Sequence, residues 1–452
     1  MNPKLRRLAG KAARRAGLRP PLPGRRRTNG RLAFAGPMPP SPTGIATYDR
    51  AVLQGLRRIG FLERERMDVL WPVRPSHQRS IGAYDLGIYQ LGNNAEFHRG
   101  IYRLAFASPG LVVLHDLALD GLVRGLEMAG DPRGIDAARE ASALRYRVTD
   151  PDIAQHEPLR VVWCAAVARA ARGIVVHSEF CKRYLQTVGV RTPIFVVPHP
   201  VVEDGASMRC AEPRARELRA ALEARGARTI VVAPGDINEA KCLPAVVQAM
   251  STLPPDVHAV IVGRRIPGTD LGAAIADHAV GDRVTVHHDV SDDDFRAWLV
   301  AADIAVDLRF PHRGEVSGSL AMAMVAGVPT IVSATGTYVD IPETMVVRVA
   351  SGPADPAELA ARIRELADDP DRRARIGDAA RAHMAALRDS DATARAYEHA
   401  ILETRDLVTD PTRALLTRWA SSLATVGVDD ALVNEGFGVS YARALESFQR
   451  SP

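Results

Sequence analysis

The sequence predicts an α/β protein with two Rossmann-like domains that face each other across a cleft, plus a helical C-terminal extension. Its 452 residues suit two domains of ordinary size with additions. Short apolar strands alternate with helical segments from residue 31, and the alternation starts again after residue 202. We therefore assign the first domain to 31–202, the second to 203–395 and the extension to 396–452. Clefts between such domains are favoured ligand sites.

The composition is typical of a globular protein, with 46% hydrophobic and 25% charged residues. No stretch is apolar enough to predict a membrane span and no signal peptide begins the chain, so we expect a cytoplasmic protein. The four cysteines stand at no metal-ligand interval and are predicted to be free thiols in a reducing compartment: Cys164, Cys181, Cys210 and Cys242.

The net charge of +5 is concentrated at the N-terminus, where residues 1–31 hold eleven basic side chains and no acidic one. One hypothesis for residues 1–30 is an interfacial helix or a nucleic-acid patch. The other, which we favour, is a solvated and disordered tail, because the apolar face is mostly alanine. The expected partners therefore include no nucleic acid and at most a weak contact with the inner face of a membrane.

The first strand is predicted over RLAFAG, followed by a loop with Gly36 and Gly44 and a helix over AVLQGLRRIG. A strand, a glycine-containing loop and a helix form the start of a nucleotide-binding or sugar-binding Rossmann-like unit. The signal is weak by itself because the GxGxxG pattern is not matched.

Two more buried strands end in polar residues, Asn93 and Asn94 after the first and His115 and Asp116 after the second. Open α/β sheets bind ligands just beyond the carboxyl ends of their strands. His115 is therefore either a functional side chain or a cap for the next helix. The domain closes with IVVHSEFCKRYL, a strand over 194–201 and a linker through Pro213.

The second half begins with TIVVAPGDINEAKCLPAVVQAM, a strand, a glycine loop and a helix with Lys241 near its start. The next strands are VHAVIVG and RVTVHHDV, and a helix then leads into a strand that ends near Leu308. Helices are predicted from Asp355 to about Leu407.

The stretch from residue 307 to residue 340 carries the clearest polar chemistry. A polar loop after Leu308 leads into a helix whose exposed N-terminus offers free N–H groups and the positive end of its dipole to an anion. The helix body is apolar all round and is predicted to be buried, and Gly327 is predicted to end it.

Four segments in this order resemble one family: GPMPPSPTGIATY, VVLHDLALDG, IVVHSEFCKRYL with VVPHPV, and RFPHRGEVSGSLAMAMVAGVPTIVSATGTYVDIPE. They are similar to the family-four retaining glycosyltransferases of the GT-B fold, within the glycosyl transferases of group 1. The resemblance extends from about Arg31 to about Arg395. It implies transfer of a hexose, with retention of configuration, from a nucleotide-diphosphate sugar to a glycan, lipid-linked or small-molecule acceptor. It implies no cofactor and no metal.

The resemblance also implies roles for individual residues. Lys241 matches the lysine that neutralises the donor diphosphate, Glu315 the acid that approaches the donor sugar, and His115 the histidine near the transferred sugar. The donor-binding candidates lie in the glycine loops and at the helix start: Gly44, Gly235, Arg313, Ser317, Gly318 and Ser319. The acceptor-side candidates lie at the strand ends and in the loop of the first domain: Asn93, Asn94, His98 and Asp116.

Two departures from the family pattern concern the donor side. The family shows a second glutamate that commonly holds the nucleotide ribose, but Met322 and Ala323 occupy that region here. The basic residue that often follows the donor-domain glycine is replaced by Asp236, and Arg313 or Arg264 is a candidate to supply the lost charge.

The sequence features bear on three classes of function. The favoured hypothesis is a glycosyltransferase, and the alternative is a non-catalytic nucleotide-sugar binder or scaffold that pairs with an active transferase. A nicotinamide dehydrogenase is disfavoured because neither half combines the dinucleotide fingerprint with a ribose-binding acid about twenty residues on.

Overall fold

The computed structural model describes residues 30–202, 205–266, 268–389 and 391–409, and these form two parallel β-sheets with helices on both faces. The strands are β1–β6 in the first domain and β7–β12 in the second. The sheet orders are β2-β1-β3-β4-β5-β6 and β12-β11-β10-β7-β8-β9. The predicted pair of Rossmann-like domains is confirmed.

The strands of the first sheet are Leu32–Ala35, Met67–Val69, Leu86–Leu91, Leu111–Leu114, Gly173–Val176 and Ile194–Val196. Those of the second are Thr229–Pro234, Val257–Gly263, Val284–His288, Ile304–Asp307, Thr330–Ser333 and Val346–Val349. The central strands are buried along their whole length because helices cover both faces of each sheet. Because all strands of each sheet are parallel, their carboxyl ends lie at one edge, and this edge faces the cleft.

Eighteen α-helices in the described residues connect and cover the strands. In the first domain they are α1 Gly44–Arg58, α2 Phe61–Arg64, α3 Pro75–Ser80, α4 Ala95–Ala107, α5 Asp120–Met128, α6 Pro132–Leu144, α7 Pro151–Ala154, α8 Glu157–Arg160, α9 Ala165–Ala170 and α10 Glu179–Thr187. The others are α11 Gly205–Glu223, α12 Leu243–Met250, α13 Gly272–Asp277, α14 Asp292–Ala301, α15 Gly318–Ala326, α16 Pro356–Asp368, α17 Pro370–Asp389 and α18 Ala392–Thr409.

The last described helix, α18, returns to the first domain. Tyr397, Ala400 and Ile401 are buried in the same cluster as Leu32 and other residues of the first sheet. The hydroxyl groups of Tyr397 and Tyr48 lie 2.9 Å apart. The predicted boundary at 395 falls inside this helix, whose apolar face completes the core of the first domain, so the extension is in part a structural element of that domain.

Three local predictions differ from the structure. Helix α1 begins at Gly44, which the sequence analysis placed in the loop, because Thr43 caps the helix and accepts a hydrogen bond from the Ile45 N–H. The strand predicted over 194–201 ends at Val196. The predicted linker through Pro213 is helical from Gly205, with the proline inside α11.

Other predictions fall outside the described residues. The basic tail through residue 29 and the part of the extension after residue 409 are not among them. Within the described ranges, no helix combines the length and the apolar character that a membrane crossing requires.

Candidate functional site

The site lies where the carboxyl ends of the two sheets meet. Lys241, predicted to hold a diphosphate, sits in a 3₁₀ turn directly before α12 and is 4% exposed. Its ammonium group donates to the Pro234 carbonyl at 3.0 Å, to Ser319 Oγ at 2.8 Å and to the Asp307 carboxylate. An ammonium has three protons, so these partners use all of them. In this conformation Lys241 has no proton left for a phosphate, which differs from its predicted contact.

Asp307 is the reason for this arrangement. It ends β10, it is 0% exposed, and it also accepts hydrogen bonds from Ser317 Oγ and, at 3.3 Å, from Ser319 Oγ. Burial raises the pKa of Asp307, but Lys241 and Arg309 lower it further, so the pKa lies below its usual range. Burial lowers the pKa of Lys241 more than the Asp307 charge raises it. Two buried opposite charges thus form a fixed network under the start of α15.

The N-terminus of α15 is open to a ligand. Ser317 caps the helix and accepts a hydrogen bond from the Leu320 N–H at 3.2 Å. A Cβ atom added to Gly318 would meet nothing within 4 Å, so open space lies before the first turn. Gly235 has φ +110°, and a Cβ there would lie 2.9 Å from both Lys241 Nζ and Ser319 Oγ. The start of α15 and Gly235 therefore lie next to each other above the buried network. The free N–H groups and the positive end of the helix dipole at this place favour an anion.

Glu315 lies in the loop before α15, and its side chain is 20% exposed. The carboxylate contacts Arg309 Nε at 3.3 Å and accepts a hydrogen bond from the Arg313 N–H at 2.8 Å. Burial raises the pKa of Glu315, but His312 and Arg309 outweigh it, so the pKa lies below its ordinary value. Glu315 is therefore a fixed negative charge at the cleft.

The two arginines considered as replacements for the missing basic residue are both paired. Arg264 binds Asp236 with distances of 2.7 and 3.2 Å, and it reaches the Pro42 carbonyl of the first domain at 3.5 Å. Arg313 forms an ion pair with Asp120 of the first domain. Both arginines therefore contact the first domain, and Arg264 also pairs with Asp236, the residue after Gly235.

The first-domain side of the cleft differs because it carries a cluster of uncharged rings. His115 follows β4, and its Nε2 lies 2.9 Å from Gln90 Oε1. Its ring centroid is 4.5 Å from that of Tyr48 and 5.2 Å from that of His177. His199 is 5.0 Å from Tyr48 on the other side. Burial, followed by the neighbouring His177, lowers the pKa of His115 well below its ordinary value, so the ring is neutral at pH 7.

Asp116 lies next to His115 and accepts a hydrogen bond from the Asn93 N–H at 3.0 Å. Burial and then the Glu315 carboxylate across the cleft raise the pKa of Asp116 to about 7. Its proton is therefore exchangeable near neutral pH, as general acid–base chemistry requires.

Three predicted acceptor-side residues have internal roles. Asn93 Oδ1 accepts from the Gly121 N–H at 2.7 Å, at the start of α5. Asn94 caps α4 through a 2.8 Å hydrogen bond from the Glu96 N–H. His98 is 1% exposed, and its Nδ1 lies 3.1 Å from the Gln90 carbonyl oxygen. These three side chains therefore make hydrogen bonds within the first domain. Gly44 begins α1, and a Cβ there would meet nothing within 4 Å.

The sequence analysis missed four residues of the site: Asp307, Arg309, His177 and His199. A usable signal existed for three of them. His177 and His199 follow β5 and β6 as His115 follows β4, and Asp307 is a charged residue that ends an apolar strand. Arg309 gave no signal, because its importance depends on its contact with Glu315. The described residues contain no group of three or more potential ligands that could hold a metal ion.

Comparison with known proteins agrees with this geometry. Residues 215–383 match the family model described as glycosyl transferases group 1. A 2-deoxystreptamine glucosyltransferase of Streptomyces kanamyceticus is 27% identical over 248 residues. That match spans 54% of this chain and 63% of the relative, so more than a third of the relative lies outside it.

Solved structures share the fold over most of this chain. Anabaena Alr3699/HepE, solved with UDP, is 16% identical with a TM-score of 0.58, and the match covers 82% of this chain and 100% of that one. Sucrose-phosphate synthase of Thermosynechococcus elongatus is 18% identical with a TM-score of 0.55, and the match covers 85% and 100%. The fold is therefore GT-B, and residues 215–383 of its second domain are similar to the glycosyl transferases of group 1.

Proposed function

We propose that this protein transfers a hexose from a nucleotide-diphosphate sugar to a hydroxyl group of a glycan, lipid-linked or small-molecule acceptor, with retention of configuration. The observation that carries the proposal is the open N-terminus of α15, which stands over the buried Lys241–Asp307 pair and beside Glu315. An anion bound there would meet backbone N–H groups and the positive end of a helix dipole. A leaving diphosphate has the required charge and shape.

Groups of opposite charge would contact different parts of the donor. The amides at Gly318 and Ser319 would hold the diphosphate and stabilise the charge that develops as the glycosidic bond breaks. Lys241 acts at this site through Ser319, which it holds at 2.8 Å. Glu315, fixed as an anion, would face the sugar as positive charge develops on its ring. The proton of the acceptor hydroxyl would leave toward the diphosphate on the same face.

The acceptor would lie against the first domain, between His115 and Asp116. A neutral imidazole can accept or donate a hydrogen bond to a hydroxyl group. Domain closure would exclude water from the reacting atoms. The N-terminal tail, which lies outside the described residues, remains a candidate for weak contact with a membrane surface.

The choice of first substrates follows from the similar proteins. UDP-glucose is the first donor to test, because HepE is solved with UDP-glucose and the curated relative is named as a glucosyltransferase. 2-Deoxystreptamine is the first defined acceptor, followed by lipid and glycan fractions of a cell extract. We expect release of UDP that depends on the acceptor and a product heavier by one hexose in mass spectrometry. No turnover with UDP-, GDP- or ADP-sugars would contradict the proposal.

A second candidate function is a nucleotide-sugar binder that does not catalyse transfer. Two observations favour it: the three protons of Lys241 are used inside the protein, and Met322 packs among apolar residues where a ribose-binding acid was expected. Thermal shift and donor consumption separate the two functions. A binder gains stability with UDP-glucose and leaves it intact, whereas an enzyme consumes it when an acceptor is present.

A further inference from the structure

The loop that carries Glu315, residues 308–316, contacts its own domain near its ends and through the His312 ring, whose Nε2 lies 3.4 Å from the Thr337 backbone nitrogen. Near its start, the Phe310 N–H donates to the Ala240 carbonyl at 2.8 Å, and the Arg309 N–H donates to Ser333 Oγ at 3.0 Å. Near its end, Thr337 Oγ1 donates to the Glu315 carbonyl at 2.8 Å. We call residues 308–316 the donor loop.

The backbone in the middle of the donor loop accepts hydrogen bonds from the first domain. The N–H groups of Leu117 and Ala118 both donate to the Arg313 carbonyl at 3.0 Å. The Cys181 thiol donates to the Gly314 carbonyl at 3.1 Å. Gly314 has φ +84°, and a Cβ there would lie 2.5 Å from Leu117 Cγ, so the two domains touch closely at this point.

His156 makes the most specific of these contacts. It lies between α7 and α8 in the first domain and is 0% exposed. Its Nδ1 accepts a hydrogen bond from the His312 N–H at 3.1 Å, so the proton of the neutral ring is on Nε2. That Nε2–H donates to Thr335 Oγ1. Both ring nitrogens of a first-domain residue are thus used by the second domain.

The contact at His312 reaches Glu315 through a short chain of bonds. The Gly314 N–H donates to His312 Nδ1 at 2.8 Å, and the Arg313 N–H of the same turn donates to the Glu315 carboxylate at 2.8 Å. A change in the position of the His312 backbone therefore changes the turn that presents the Glu315 carboxylate.

We propose that His156 is a positioning residue for Glu315, and that the donor loop takes its active shape only when the first domain closes on it. This inference rests on the proposed function, because it gives Glu315 a partner that sets its position for the donor sugar. His156 touches no reacting atom. It acts on Glu315 through its hydrogen bond with the His312 N–H. Closure of the domains and ordering of the donor loop therefore occur together.

The test compares His156→Ala, His156→Gln and His258→Gln. Glutamine offers an acceptor and a donor and is expected to restore part of the contact. His258 is a matched control, since it is 3% exposed in β8 and its Nδ1 has no hydrogen-bond partner among the described residues. The first measurement is hydrogen exchange of the donor-loop amides with and without UDP. The second is steady-state kinetics with UDP-glucose and the best acceptor.

For His156→Ala we expect donor-loop exchange about tenfold faster and kcat about tenfold lower, with KM for UDP-glucose changed less than about threefold. His156→Gln should recover most of both, and His258→Gln should resemble the wild type. A purely structural role would instead speed exchange in His156→Ala throughout the first domain with no larger increase in the donor loop, and that result would overturn the inference. So would wild-type exchange in His156→Ala.

The two proposals fail differently. If the wild-type protein consumes no nucleotide sugar, the proposed function fails. The exchange measurement needs no turnover and still decides whether His156 holds the donor loop. If His156→Ala does not fold, His156→Leu, which keeps the volume but offers no hydrogen-bond acceptor, is compared with His156→Gln: faster donor-loop exchange in the leucine variant alone supports the inference, and equal exchange in the two overturns it.

Discussion

The two sides of the cleft are built from the same feature, the carboxyl ends of parallel strands, yet they differ in charge. On the first domain, His115, His177 and His199 follow three adjacent strands and are neutral at pH 7, because burial lowers the pKa of each. On the second domain, Lys241 and Asp307 form a buried ion pair. The difference suits a neutral, hydroxyl-bearing acceptor on one side and a charged diphosphate on the other.

The largest expected effect is a loss of stability on acidification, because the contributions of four buried histidines of the first domain add: His98, His115, His177 and His199. His98 is 1% exposed, and burial lowers its pKa from 6.5 to about 4. Because the folded-state pKa is depressed, the neutral ring's contribution, about 3 kcal/mol, is fully present above pH 6.5 and is lost as the pH falls toward 4. Urea unfolding at several pH values measures it.

The ion-pair side should not follow this change. The pKa of Asp307 lies below its usual 3.8, so its contribution persists until the pH falls below that value. Hydrogen exchange between pH 6.5 and 4 should therefore rise first in the amides after β4–β6 and later at the start of α15. If the exchange rates rose equally at both places, the two sides of the cleft would not differ in their response to pH, which contradicts the prediction.

The next largest effect is expected from Lys241→Ala, which leaves Asp307 as an unpaired buried charge. Removing one partner of such a pair costs about 3 to 5 kcal/mol. The double variant Lys241→Met, Asp307→Leu should recover most of the free energy of unfolding while activity remains lost. Lys182→Ala is the control, because its lysine is 35% exposed and pairs only at the surface with Glu179. A single variant as stable as the wild type would contradict the structural role of the pair.

Glu315→Gln tests the charge near the sugar. We expect kcat/KM with UDP-glucose to fall about 100-fold, because a fixed charge aimed at the reacting sugar is lost. UDP affinity should change little, since the helix start remains. Glu343→Gln is a matched control with a glutamate that is 78% exposed. Turnover unchanged by Glu315→Gln would exclude Glu315 from the reaction.

The smallest effect is expected at Asp49, beneath the first loop. Asp49 is 0% exposed, and neither carboxylate oxygen has a hydrogen-bond partner among the described residues. Burial raises its pKa well above 3.8, so stability is lost as the pH rises above that value. Asp49→Asn should stabilise the protein by about 1 kcal/mol at pH 7 and much less at pH 4.

The control for that variant is Asp136→Asn, in which the carboxylate is 76% exposed. A loss of stability in Asp49→Asn at pH 7 would show that the Asp49 carboxylate has a partner in solution. Thermal unfolding at both pH values is sufficient to decide.

Much of the fold could be predicted because it depends on local pattern. The strand VHAVIVG is β8, Val257–Gly263, as predicted, and Gly327 ends α15 with φ +72°. The restart of the alternation after residue 202 predicted the second sheet. Periodicity and glycine conformation act over a few residues, so a sequence states them directly.

The candidate site was predictable only in part. Glu315, Lys241 and His115 could be placed at strand ends and in loops from local pattern alone. The sequence did not show that Asn93 and Asn94 cap helices, because a cap and a ligand contact use the same residue types. It also did not show that α18 returns to the first domain. An apolar helix face predicts that the helix is packed, but not which domain it packs against.

The sequence by itself determined the two β/α/β domains, the strands and the glycine-ended helix, since these follow from propensity and spacing along the chain. Only the tertiary structure decided that Lys241 binds Asp307, 66 residues away, and that His156 holds the His312 N–H, 156 residues away. Such contacts depend on which strand ends meet when both sheets and both domains are packed. Burial then shifts the pKa values of the buried groups and so sets their protonation states, because desolvation depends on the complete set of neighbours.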